Sequence, residues 1–473
     1  MSSRVRWGLA ASVGLAVAVT AGVAIDAFAQ ARARVSPHPV VHVNVAGTRV
    51  NVRVPKVKVH VRRGDDRPGP DSAQVATALA TFAGADPLLC GLALDRLGND
   101  WGPGAAAAGL GELSDEPAAA RELRTRLAGP VRDARALPLL ATALADAKPC
   151  VRHAAARLLG GSALAAATAA LREALARPDA RVREAAALGL GVAEDTAAFA
   201  ALVRALRDPE PAVARMAAWA LGQLEDARAV PALVPLLRGG DVGTRKAAVW
   251  ALGEIEDSAA VGPLVPLLAD KDPDLRLFTA RALGEIEAAS ATRPLTALVD
   301  DPVLDVRLAA IQALGEIEDR GATEALVRAL RDASPAVRAA AAHALGEVED
   351  PRAAEPLAAA LGDRDAAVRL AAVHALGELD DVSRAPAGLV QALKDPDPEM
   401  RAQAAHTLGE IADPASAPAL EAAFADRDVE VRRAVLHALG ELPGDANAQL
   451  LAAALKDPDP EIRRLAARAL GDR

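Results

Sequence analysis

Two columns of oppositely charged residues recur at fixed distances from a repeated glycine. Arg338 stands eight residues before Gly346 and Asp332 stands 14 before it, and most other glycines of the series repeat this arrangement. Regular guanidinium groups could bind an anion, or they could tie neighbouring turns together through forked bonds to carboxylates. We favour the structural ladder and expect weaker stacking where the arginine is missing, at Ala214 and Cys90. The predicted ladder includes Arg276, Arg307, Arg338, Arg369, Asp301, Asp332 and Asp363.

The position three residues before each glycine varies most, and residues four earlier share its helix face. We expect this column to form an exposed ridge on the concave side of the array. Exposed tryptophans beside cations are typical of interface anchors, and histidines in file could sense pH or bind a metal. A solvated face with arbitrary polar residues would explain the same pattern. The predicted partner-binding residues are Trp219, Trp250, Arg215, Lys246, Arg281, His343, His374, His406 and His437.

Other residue types argue against metal or catalytic chemistry. The histidines lack the dense Cys, His and acid spacing of a zinc cluster. A glutamate follows most of the later glycines, but successive units would hold these carboxylates about 10 Å apart. That spacing is too wide for one calcium ion, whose oxygen ligands lie at about 2.3–2.6 Å. No zinc-protease, serine-hydrolase or phosphate-loop motif is present. The sequence therefore predicts no catalytic residue, no metal and no cofactor.

The chain has two cysteines, Cys90 and Cys150. In the repeat register they lie nearly two units apart, which corresponds to about 20 Å at the spacing of packed helices. A disulfide needs Cα atoms within about 7 Å. We therefore predict that they are not paired.

The columns require a repeated pair of helices to position them. In the unit that ends near Gly377, apolar residues from Val368 to Leu376 follow helical spacing. Asp363 and Asp365 precede this run as candidate caps, and we expect Gly377 to end the helix in a left-handed conformation. Of the 12 intervals between successive glycines, 11 are 31 residues and one is 32. The series comprises Gly98, Gly129, Gly160, Gly191, Gly222, Gly253, Gly284, Gly315, Gly346, Gly377, Gly409, Gly440 and Gly471.

Units of 31 residues that carry Asp-Pro, then Val-Arg, then Ala-Leu-Gly-Glu resemble HEAT repeats, specifically the short PBS-lyase-type HEAT-like class. The resemblance covers roughly residues 71–473. It implies an all-α protein, a right-handed α-solenoid of about 13 two-helix repeats, because a single pair cannot bury its apolar face alone. The class includes phycobilin lyase subunits and many scaffolds without catalysis.

The N-terminal residues differ in character from the array. Residues 1–29 read as a signal peptide cleaved after Ala29, or as an uncleaved membrane anchor helix, so we expect an exported protein, periplasmic or extracellular. Residues 30–70 form a basic, β-prone linker in which valines alternate with polar residues. Residues 35–63 could dock on an anionic envelope component, or could be a solvated tether, because two strands alone are marginal in water.

Charge limits the kinds of partner. Residues 1–67 hold 11 Lys or Arg and 3 acidic residues, whereas the remainder holds 43 basic and 60 acidic residues. An acidic array, in a chain with no tyrosine and five phenylalanines, is a poor nucleic-acid binder. We therefore expect a non-enzymatic scaffold that binds a protein partner on its concave face, with membrane or envelope contact through residues 1–63 left open. The alternatives are a lyase or lyase subunit, as the family resemblance allows, and an envelope-tethered sensor.

Overall fold

The computed structural model describes residues 40–45, 48–53, 69–85, 127, 129–379, 382, 384–442 and 448–471. The chain divides into two compact units, Met1–Asp66 and Arg67–Arg473. The predicted signal or anchor region, 1–29, lies outside the described residues. Within the described ranges, no helix combines the length and apolar character needed to cross a bilayer.

The described part of the first unit is a pair of strands. Strand β1, Val40–Val45, pairs with β2, Thr48–Arg53, in antiparallel register, and Val43 lies opposite Val50. Both strands fall in the stretch where valine recurs at every second position, the period of a β-strand. Ala46 and Gly47, which separate the two strands in sequence, lie outside the described residues.

The second unit is helical and solenoid-like. It opens with α1, Ser72–Gly84, whose first turn is closed by a capping box between Asp71 and Gln74. The helices that begin each following hairpin are α2 Ala136–Ala143, α4 Ala165–Ala174, α6 Phe199–Ala205, α8 Val230–Leu233, α10 Val261–Leu264, α12 Thr292–Leu295, α14 Thr323–Ala329, α16 Ala354–Ala360, α18 Ala387–Ala392, α20 Ala417–Ala423 and α22 Ala448–Ala454. We call these the first helices.

Each first helix is followed by a longer second helix. These are α3 Pro149–Gly160, α5 Ala180–Val192, α7 Pro211–Gln223, α9 Val242–Glu254, α11 Pro273–Glu285, α13 Leu304–Ile317, α15 Pro335–Val348, α17 Ala366–Glu378, α19 Pro398–Ile411, α21 Val429–Glu441 and α23 Pro460–Gly471. Successive second helices pack against each other along the array. In three hairpins the four-residue first helix runs on as a 3-10 segment, at Val234–Arg238, Val265–Ala269 and Thr296–Asp300.

The repeated glycine does not end the second helix, so the prediction for Gly377 is wrong. Gly377 lies inside α17, and Gly315 lies inside α13, which continues to Ile317. A left-handed residue does close several second helices, but it stands three positions after the glycine and is a glutamate such as Glu318, with φ 55°, or Ala412. After α17 itself the capping residue, Leu379, is extended.

The glycine instead lets adjacent second helices approach closely. A Cβ built on Gly253 would lie 2.9 Å from the Cα of Ala282, and one built on Gly222 would lie 2.9 Å from the Cα of Ala251. These alanines are fully or almost fully buried, as are their equivalents Ala313 and Ala344. Small residues on both sides of the contact therefore set the short distance between units.

The beginning of the array departs from the regular register. Helix α1 packs directly against α2 and α3, and the amide of Ser72 donates to Oδ2 of Asp133 at 2.9 Å, across 61 residues of sequence. The ammonium group of Lys148 donates to the carbonyl of Ala83. Helices α2 and α3 therefore fold back onto α1 before the regular units begin.

This return explains why the prediction of unpaired cysteines is wrong. Cys150, in the first turn of α3, is disulfide-bonded, and the chain has only two cysteines. The prediction assumed that each 31 residues add one full helix layer between Cys90 and Cys150. Direct packing of α1 on α3 shows that layers cannot be counted this way here. Cys90 itself lies outside the described residues.

Candidate interaction surface

A ladder of ion pairs joins each hairpin to the next. Arg338, on α15, donates from Nε to Oδ2 of Asp363 at 2.7 Å and from Nη2 to Oδ1 at 2.8 Å. Its Nη1 donates back to the carbonyl of Asp332 at 3.0 Å. Asp363 lies in the turn before α17 and also accepts the amide of Asp365 at 2.8 Å. One arginine thus fastens its own inter-helix turn to that of the next unit.

The same pair recurs along the array, and we call each instance a rung. Both side chains of the rung at Arg338 are largely buried, with 7% and 14% of their surfaces exposed, so the pair is shielded from water. The rungs are Arg183–Asp208, Arg245–Asp270, Arg276–Asp301, Arg307–Asp332, Arg338–Asp363, Arg369–Asp395, Arg401–Asp426 and Arg432–Asp457.

In individual rungs the arginine favours the ionised form of the aspartate. The hydrogen bond from Arg338 holds the pKa of Asp363 below its usual value, and Arg401 does the same for Asp426. A guanidinium that forks onto a carboxylate favours the charged form of both partners. These arginines are committed to carboxylates and are therefore not an anion-binding surface.

Two rungs are missing among the described residues. Arg152 lacks its aspartate, because Arg177 stands 25 residues later, and at a second junction both members are absent. The arginine position is Ala214, and the aspartate position 25 residues later is Gly239. Gly239 is exposed, and Gly240 beside it has φ +79°. Arg215 makes a single 3.1 Å bond to Asp241 nearby, with both side chains more than 40% exposed. An exposed pair of this kind contributes far less than a buried fork. Weaker stacking at this junction stays a prediction.

The two tryptophans lie at the same junction, but they are not two exposed anchors. Trp219 is buried, with 4% of its surface exposed, and Trp250 is half-buried. Their rings stack with centroids 6.3 Å apart and planes 15° from parallel. Each ring covers a glycine of the preceding unit: a Cβ built on Gly191 would lie 2.5 Å from Cζ3 of Trp219. The repeat pattern could not predict the burial of these rings, because it does not show that the glycine of the neighbouring helix leaves room for them.

The later residues of the column are exposed, as the ridge hypothesis requires. They are Arg281, Gln312, His343, His374, His406 and His437. Two cations assigned to the ridge are already paired, however, because Lys246 bonds Asp274 at 2.7 Å and Arg215 bonds Asp241. The ridge that the structure supports therefore consists of Trp250 and the exposed residues from Arg281 onward.

Glutamates flank the ridge in a way that sequence reasoning missed. The carboxylate of Glu347 reaches back over Gly315, so that a Cβ there would lie 2.2 Å from Oε2, and Glu378 covers Gly346 in the same way. Burial, together with the charge of Glu347, raises the pKa of Glu378 to about 7. The carboxylate of Glu347, 3.6 Å from Nδ1 of His343, favours the protonated imidazole and raises the pKa of His343 to about 9. The only sequence signal was a glutamate directly after each glycine.

The described residues thus define a solenoid of stacked helical hairpins with a repeated inter-unit ladder. A family model described as HEAT repeats matches residues 168–245, 230–315, 300–377, 323–391, 355–440 and 386–471. These matches cover more than half of the chain, and the chain belongs to the HEAT repeat family. The resemblance predicted from the 31-residue units is confirmed.

Several solved structures are similar to this chain, whereas no curated protein matches it. An engineered protein is 24% identical over 71% of this chain and 98% of its own, with a TM-score of 0.42. The CpcE and CpcF complex of phycocyanin lyase from Nostoc sp. PCC7120 is 25% identical over 52% and 93%, with a TM-score of 0.32. Kap95p, in a structure with RanGDP, is 15% identical over 85% and 66%, with a TM-score of 0.47.

Proposed function

We propose that this chain is a non-enzymatic, exported scaffold that binds a protein partner along the ridge of its second helices. The observation that carries the proposal is that different columns of each second helix have different roles. The glycine, alanine and arginine columns are committed to the neighbouring unit, whereas the column from Arg281 to His437 is exposed and differs from unit to unit. Recognition can vary there without disturbing the stack.

The second helices line the concave side of a right-handed solenoid in this proposal, and extended concave surfaces are what repeat proteins use for binding. Trp250 and Arg281 are the proposed anchors. Trp250 keeps part of its ring exposed, and Arg281 is an exposed cation one unit further along the same column. Aromatic residues and arginine are enriched among the residues that dominate binding energy. Trp219 supports Trp250 from beneath and is not itself an anchor.

Photo-crosslinking tests the location. A crosslinking residue would replace Gln312 on the ridge and, as a matched control, the equally exposed Glu355 on first helix α16. In extracts of the organism that encodes the chain, we expect position 312 to capture a discrete protein and position 355 to capture none. Arg281→Glu should reduce that capture. Capture at 355 alone, or capture at 312 that Arg281→Glu leaves unchanged, would refute the site.

Export is supported by chemistry that is independent of the ridge. Disulfides persist mainly in oxidising compartments such as the periplasm and the extracellular space, and Cys150 is disulfide-bonded. The apolar residues before Ala29 fit a secretion signal. N-terminal sequencing of the protein from fractionated cells tests this proposal. Recovery from the exported fraction with Gln30 as the first residue supports cleavage, and recovery of the reduced protein from the cytoplasm rejects export.

A further inference from the structure

Two histidines of the ridge differ from the others because their rings are neighbours. His406 on α19 and His437 on α21 have ring centroids 5.8 Å apart and planes inclined by 56°. Both residues are exposed. Among the described residues, neither ring takes part in a hydrogen bond or an ion pair. His343, by contrast, has Nδ1 3.6 Å from a carboxylate oxygen of Glu347.

The geometry points to a two-histidine site for a divalent transition-metal ion such as Zn²⁺, Ni²⁺ or Cu²⁺. This inference goes beyond the proposed scaffold function and does not depend on it. Imidazole suits these ions, which it binds through a neutral ring nitrogen. Because the two helices belong to successive units, one bound ion would link two repeats.

The ring separation fits one shared ion. A zinc–nitrogen bond of about 2.0–2.1 Å, added to a ring radius of about 1.1 Å, places the ion about 3.2 Å from each ring centre. Two such rings have centroids about 4.5 Å apart when the nitrogen–metal–nitrogen angle is 90°, and about 6.4 Å apart when it is 180°. The observed 5.8 Å lies between these limits. We expect rotation of the rings to aim the nitrogens at one ion, with no movement of either helix.

The charges near the two rings are compatible with a bound cation. Each histidine has a glutamate four residues further along its helix, Glu410 and Glu441. Arg433, four residues before His437, is paired with Glu430 and Asp459. Glu410 rests over Gly377 of the preceding unit. No described group of three or more His, Cys, Asp or Glu residues could hold a metal ion, so water would complete the coordination.

Calorimetric titration of the untagged, full-length protein with Ni²⁺ and with Zn²⁺ at pH 7.5 tests the site. We expect a class of one ion per chain whose affinity falls at least tenfold in both His406→Ala and His437→Ala. His374→Ala is the matched control, because it removes an exposed histidine from the same column one unit earlier. That variant should bind as the wild type does.

A second readout separates a shared ion from an ion held by one ring. With one equivalent of Cu²⁺, electron paramagnetic resonance should report two equivalent imidazole nitrogens in the wild type and one in His437→Ala. The absence of one-to-one binding, an unchanged affinity in either single variant, or an equal loss in His374→Ala would overturn the proposal. All three side chains are exposed, so we expect every variant to retain the wild-type circular dichroism spectrum.

Discussion

The junction between α7 and α9 and the run of units from α11 to α19 are built on the same helical hairpin but are held together differently. In the run, each unit is fastened by a largely buried ion pair, which is forked at Arg276, Arg338 and Arg401. From α13 to α19, a glutamate also lies over the glycine of the unit before it. At the junction the fork is absent, and a tryptophan ring covers the glycine instead. The glycine–alanine contact occurs in both regions, although Thr407 takes the place of the alanine opposite Gly377. Close packing at the glycine is therefore shared by the two regions, whereas the side chains that secure it differ.

The largest effect should come from breaking a rung in the regular run. Arg338→Ala leaves Asp363 largely buried without its guanidinium, which should lower the free energy of unfolding by about 3 kcal/mol. Chemical denaturation followed by circular dichroism measures this. The double variant Arg338→Ala/Asp363→Ala should cost less than the two single variants added together, because they share one interaction. Strict additivity would show that the rung contributes nothing as a pair.

The glycine contact should be more sensitive at the junction than in the run. A Cβ on Gly222 would meet the Trp250 ring and the backbone of Ala251, and we expect Gly222→Ala to cost about 2 kcal/mol. On Gly315 the nearest atom is the end of a flexible glutamate, so Gly315→Ala should cost about 1 kcal/mol.

The control for both variants is Gly262→Ala, at a helical glycine with open space around it, which should be neutral or slightly stabilising. Denaturation midpoints of the three variants test the order. An equal loss at all three positions would mean that close approach is not what these glycines provide.

Restoring the missing rung should make the junction resemble the run. We expect Ala214→Arg/Gly239→Asp to raise the free energy of unfolding by about 1 kcal/mol, the scale of a partly shielded charged hydrogen bond. Neither single variant should do so, since each adds one charge without its partner. Hydrogen exchange of the amides around residue 240 gives a local measure and should slow only in the double variant. Faster exchange there would contradict the comparison.

The smallest expected effect is a dependence of the free energy of unfolding on acidic pH. Because the folded-state pKa of Asp363 is depressed by Arg338, its contribution is fully present above the unfolded value of about 3.9 and is lost as the pH falls through the folded value. The stability difference between the wild type and Arg338→Ala/Asp363→Ala should therefore be constant near neutrality and shrink below about pH 4. Urea titrations at pH 7 and pH 3 measure it. A difference that grows in acid would reverse the assigned sign.

The ladder could be predicted because it depends only on residue type and a constant spacing, so Arg338 and Asp332 could be placed in register before any coordinates. The role of Gly377 could not be predicted, because a glycine that ends a helix and a glycine that allows close helix packing give the same sequence pattern. The burial of Trp219 depends on the space over Gly191, which is a property of two helices and not of one. The pairing of Cys150 depends on α1 folding back onto α3, where the spacing is irregular.

The arginine and the aspartate of one rung are both missing, at positions 214 and 239, and this has an evolutionary consequence. An aspartate left without its arginine is worse than having neither, because its largely buried charge would be unmatched. An arginine alone is tolerated, since Arg152 lacks an aspartate partner and donates to the carbonyls of Asp146 and Ala147 in its own turn. Loss of the arginine should therefore be inherited together with loss of the aspartate, and descendants that keep only the aspartate should be rare. In an alignment of many such arrays, this coupling would appear as covariation between columns one repeat apart, marking which unit abuts which.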